Sequence, residues 1–88
     1  MKYIMLEQPG PGGIRRRVPI IFPNGLIHED VAKAILSIPA HASAKVVSAG
    51  EVTVYGAECG GKSSTLDLKA GKGDSKIIES IDYLHGIL

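Results

Sequence analysis

The run Gly56-Ala57-Glu58-Cys59-Gly60-Gly61-Lys62-Ser63 matches the phosphate-cradling pattern G-x-x-x-x-G-K-[ST] letter for letter. The chemistry behind that pattern is specific. Glycines let backbone N–H groups wrap a β-phosphate, the lysine neutralises β/γ oxygens, and the serine hydroxyl holds Mg²⁺. A β-branched segment, Glu51–Tyr55, precedes the match, as the mechanism requires. The residues after the match do not fit. Such a loop must lead into a helix whose N-terminus faces the phosphate, whereas Ser64-Thr65-Leu66-Asp67-Leu68 alternates like a strand. The residues after Ser63 are also too few for a doubly wound sheet carrying a second metal-binding carboxylate on its own strand. With 11 glycines among 88 residues the match arises by chance in roughly one such sequence in a hundred, a common accident when many proteins are scanned. The NTPase reading is rejected. Gly60, Gly61, Lys62 and Ser63 remain candidate contacts to a phosphate held in some other way.

Arg15, Arg16 and Arg17 form the second candidate group. On a strand, Arg15 and Arg17 project from one face and Arg16 from the other. Guanidinium groups beside a Pro/Gly loop suit phosphate or carboxylate recognition by bidentate hydrogen bonds. The same residues also protect a sheet edge against aggregation by like-charge repulsion. His28, His41 and His85 are dispersed, with no i, i+4 pair and no nearby cysteine, so no metal site is expected. Cys59 has Glu58 beside it and no adjacent histidine, which is the setting of an idle thiol. No cofactor and no catalytic residue are assigned. Aromatic side chains are scarce, and a base-stacking platform for single strands is poorly supported.

Composition narrows the class further. Hydrophobic residues make 44% and charged residues 22% of the chain, which excludes an intrinsically disordered protein. The net charge of +1 is not that of a bulk nucleic-acid coat, although it allows a local basic patch. No apolar run approaches the ~20 residues of a membrane span. Met1-Lys2-Tyr3-Ile4 opens no long apolar stretch of the signal-peptide kind. The lone cysteine forms no internal disulfide and no cysteine-based zinc site. The expected setting is the cytoplasm, with no membrane partner.

The elements that must position these residues follow from periodicity. Lys2–Glu7 reads as an inner strand, apolar on both faces. Gln8–Gly13 is a loop of proline and glycine, and Ile14–Phe22 is a second strand. Pro19 cannot donate to a ladder, which places that strand at an edge. A helix is expected over Glu29–Ile38, with His28 as N-cap and Val31, Ala34, Ile35 and Ile38 on one stripe. Lys45–Tyr55 is a hairpin, or one long strand bent at Gly50. Gly56–Lys62 is a loop, and Ser64–Leu68 a short strand. The last helix starts after Asp74, an N-cap residue, buries Ile77, Ile78, Ile81 and Leu84, and stops at Gly86. The order β-β-α-β-β-(β)-α over residues 1–88 predicts one α+β domain, mainly antiparallel sheet with two helices. Tyr83, Ile87 and Leu88, at and beyond the end of that helix, are the candidate interface of a homodimer or higher homo-oligomer.

Ile21-Phe22-Pro23-Asn24-Gly25-Leu26-Ile27-His28-Glu29-Asp30-Val31-Ala32, Val47-Ser48-Ala49-Gly50 and Lys76-Ile77-Ile78-Glu79 resemble segments of a family of small uncharacterised proteins of bacteriophage and prophage genomes. The chain departs from that family in its longer Gln8–Gly13 loop and its arginine triplet. The resemblance implies a phage-encoded accessory protein in the host cytoplasm, and it brings no established activity with it. Taken together, the sequence leads to a non-enzymatic binding protein. One reading has it engage a nucleotide signal or nucleic acid through Arg15, Arg16, Arg17, Gly60, Gly61, Lys62 and Ser63. The alternative is a protein–protein module that inhibits a host factor or decorates a particle through its sheet edge and apolar C-terminus.

Overall fold

The computed structural model describes residues 1–53 and 57–85, with side chains through Ser80. Tyr3, Ile4, Met5 and Leu6 are consecutive, and all four have no exposed surface. Burying four large side chains in a row on a strand requires cover on both faces, since neighbours point to opposite sides. The cover comes from two helices. On one face of β1 (Lys2–Pro9), Tyr3 and Met5 pack with Val52, Ala57 and Ile78. On the other, Ile4 and Leu6 pack with Phe22, Ala32 and Ala49. Ala32 belongs to α1 (His28–Leu36) and Ile78 to α2 (Asp74–His85), so the helices sandwich the sheet. Each such side chain contributes ~1.5–3 kcal/mol by leaving water, which makes this strand the main hydrophobic asset of a small domain.

The sheet is antiparallel, in the order β2-β1-β3-β4, with β2 at Arg15–Phe22, β3 at Lys45–Val52 and β4 at Cys59–Gly60. A separate ribbon pairs β5 (Lys62–Ser63) with β6 (Leu68–Lys69). The α+β class, the inner first strand and the edge position of the Pro19 strand are as the sequence predicts. Details differ. Lys45–Val52 is one strand, and its register slips at Val47, between the partners of Met5 and Leu6, rather than at Gly50. Gly50 answers a different need: a Cβ there would lie 2.4 Å from the Gly60 carbonyl oxygen, so only glycine lets β4 approach. The expected loop at Gly56–Lys62 contains β4 and enters β5, while Ser64–Asp67 is a turn and not a strand. The first helix ends at Leu36 instead of Ile38, because Ile38 precedes Pro39 and is held extended.

His28 is not the N-cap. Ile27 takes that position without a side-chain bond, and His28 is the first helical residue, with a buried ring. Its Nε2–H donates to the Gly50 carbonyl at 2.8 Å, and the ring stands edge-on to Phe22 at 5.4 Å. The histidine therefore pins α1 to β3.

A second polar clamp holds the opposite helix. Asp74 has no exposed surface, and its Oδ2 accepts from the Tyr3 hydroxyl at 2.5 Å, the Ser48 hydroxyl at 2.6 Å and the Gly71 N–H at 2.9 Å. Burial, and then donation to this carboxylate, pushes the Tyr3 phenol well above its usual value. Asp74→Ala should cost ~3–5 kcal/mol in urea unfolding by orphaning three donors, and Tyr3→Phe ~1–2 kcal/mol. With the folded-state pKa raised, the stabilisation is intact below about pH 10 and declines as the pH climbs further, because only the unfolded chain then releases the proton. Tyr3→Phe should remove that share of the alkaline loss and delete the late component of the tyrosinate absorbance titration.

Candidate functional site

The two candidate groups occupy different parts of the sheet. In the motif region, Gly56 lies outside the described residues. Gly60 sits on β4, Gly61 turns the chain with a φ of 72°, and Lys62 and Ser63 form β5. No helix comes next. The Ser63 side chain is buried, and its hydroxyl accepts from the Leu66 N–H at 3.2 Å and lies 3.3 Å from Thr65 Oγ1. It closes its own turn, a local competition between side chain and backbone that serine favours. Thr65 Oγ1 in turn accepts from the Glu29 N–H at 3.3 Å, tying that turn to the start of α1. This is the geometry of a β-ribbon, not of a loop that leads into a phosphate-facing helix.

Lys62 stands directly opposite Lys69 in the ribbon, and both line an open groove of about 680 Å³ together with Asp67, Ser48 and Ser64. None of the three arginines lines it.

The arginines project as the strand period requires. Arg17, Glu7 and Lys45 are direct partners across β2, β1 and β3, forming one row on one face of the sheet. Arg15 joins them diagonally. The distances to the Glu7 carboxylate are 3.3 Å from Arg15, 3.6 Å from Arg17 and 4.0 Å from Lys45. Three cations thus converge on one half-buried acid. Arg16 points to the other face, beside Gln8. Its stem crosses Gly10, where a Cβ would meet Arg16 Cγ and Cδ at 2.8 Å. Gln8 Oε1 is 2.9 Å from His41 Nδ1.

Strand order then separates the two groups. β2 and β4 are opposite edges, three strand spacings or about 14 Å apart. Gly60 pairs with Glu51, which pairs with Lys2, whereas the arginines sit at the Glu7 end of β1. The two groups do not converge on a shared pocket.

Sequence reasoning missed Glu7 and Lys45, because their role depends on register. The alternation that places Glu7 on the Tyr3–Met5 face was the available signal; nothing local marks Lys45 as its neighbour. The Tyr3–Ser48–Asp74 cluster was missed for the same reason. Cys59 lies beside it, and burial pushes its thiol up despite hydrogen bonds that pull the other way, which disfavours the thiolate. Among the described residues no group of three or more His, Cys, Asp or Glu could hold a metal ion, and no helix is long and apolar enough to cross a membrane. The side chain of Tyr83, and Ile87 and Leu88 altogether, lie outside the described residues.

No protein family, characterised protein or solved structure was found to match the chain.

The turn geometry makes a test of the motif region. Ser63→Ala should cost ~1–2 kcal/mol in urea unfolding by orphaning the Leu66 N–H. Lys62→Ala, at an exposed site, should stay within ~0.5 kcal/mol. The reverse ranking would contradict the role given to Ser63.

Proposed function

We propose that the protein is a non-enzymatic binding module whose working surface is the basic end of the sheet, and that its partner is an acidic protein segment. One observation carries this reading: Arg15, Arg17 and Lys45 share the single carboxylate of Glu7. Holding three cations side by side costs repulsion that one acid offsets only in part, and exposed pairs of this kind return little stability. An acidic partner relieves that repulsion, gains bidentate contacts to two guanidinium groups and is steered to the site by the local field.

The nucleotide reading drew on two basic groups acting together, and their separation takes away half of its donors. Tyr3 and Phe22 are buried in the core, so neither offers a base a ring to stack on at the basic end. A protein partner needs neither. The setting we attach to this function is that of a phage-encoded accessory protein that occupies a host factor or a particle surface.

Titration of the full chain with an acidic peptide and with an oligo-dT strand, at about 50 and 200 mM salt, tests the proposal. The peptide should bind, more weakly at the higher salt, and the double variant Arg15→Gln/Arg17→Gln should lose about tenfold or more of that affinity. Lys62→Ala should bind as the parent does. Preferential binding of the oligonucleotide, or peptide binding indifferent to the arginine substitutions, would overturn it.

A further inference from the structure

The backbone of β2 shows how a partner can be held at this surface. Gly10 N–H donates to the Ile14 carbonyl at 2.7 Å, which fixes the phase of the β1–β2 ladder: even-numbered residues of β2 exchange hydrogen bonds with β1. The other edge of β1 agrees, because Met1 and Val52 exchange both bonds and odd residues of β1 therefore face β3. The N–H and C=O groups of Arg15, Arg17 and Ile21, and the C=O of Pro19, consequently point away from the sheet. β2 ends the strand order, so no described strand takes them up. Their side chains share the face that carries Glu7, where Ile21 is 44% exposed. The charged and the unpaired groups thus belong to the same residues.

We infer that the acidic partner is an extended strand added antiparallel to the outer edge of β2, an inference that rests on the function proposed above. Acidic side chains of the added strand lie opposite Arg15 and Arg17, and its alternate residues are apolar and extend the Val18–Ile20 face. Backbone bonds hold such a strand, and side-chain contacts select it.

A second copy of this chain is a poor occupant. In every two-fold antiparallel register that spans two or more rows, either Pro19 falls where a donor is needed or arginine stands opposite arginine. A foreign strand meets the proline once and brings its own acids. Pro19 and the arginines therefore act together as a filter against self-pairing, of the kind edge strands need.

The test uses the full ¹⁵N-labelled chain and three blocked octapeptides of alternating glutamate and valine, observed by NMR up to millimolar concentration. One peptide is unmodified, one is N-methylated on its glutamates and one on its valines. With the added strand antiparallel and its glutamates on the arginine face, only the glutamate amides bond to β2. The unmodified and valine-methylated peptides should bind and shift the amides of Arg15, Arg17 and Ile21. The glutamate-methylated peptide should bind about tenfold or more weakly. Equal binding of all three would overturn strand addition and leave the charge-based function standing. Failure of all three to bind would overturn both.

Discussion

The central constraint of this protein is that its first strand is consumed on all sides. β1 hydrogen-bonds to β2 along one edge and to β3 along the other, and the Tyr3–Leu6 run buries its side chains in both faces. A domain of this size has no second core to draw on. The helices must therefore lie on opposite faces of one sheet, and each is fastened by a polar clamp set against β3. His28 reaches the Gly50 carbonyl from one side, and Asp74 gathers the Tyr3 and Ser48 hydroxyls on the other. With the faces spent on folding, the unspent capacity lies at edges and ends.

Glu7 marks where that capacity begins. It follows the last fully buried residue of β1, on the Tyr3–Met5 face, and is itself only half-buried. The row Arg17–Glu7–Lys45 crosses three strands there, so cations are placed by rigid sheet geometry rather than by loops. A charged row on a sheet edge is a common defence against edge-to-edge aggregation. Defence alone would be met by fewer charges than this end carries, with Arg16 on the opposite face and Pro19 already blunting the edge. Among the described residues cations exceed acids at this end, and the outward backbone groups of the same residues are taken up by no described strand, which is the combination the proposed strand partner would use.

Much of this was legible in the residue order, and the failures share a physical cause. The inner first strand could be read because apolar residues on both faces have few other meanings, and Pro19 announced an edge because it lacks a donor. The alternation of the three arginines followed from the strand period. Two-residue strands such as β4 and β5 carry no period, so a glycine-rich loop was expected in their place. The slip at Val47 depends on how β3 meets β1, which no local pattern records. His28 and Asp74 were both expected to work as helix caps, yet each sends its side chain into the core, because a tertiary partner outcompetes the local one. The phosphate-loop match misleads in the same way: its letters agree, but Ser63 is spent on closing a turn.

The account turns on β2 having one bonded and one open edge. Amide hydrogen exchange read residue by residue along Arg15–Phe22 measures this directly. The ladder phase predicts slow exchange at Arg16, Val18 and Ile20, and fast exchange at Arg15, Arg17 and Ile21. Uniform protection along the strand would mean that its outer edge is already covered, and would contradict the surface on which the proposed partner is bound.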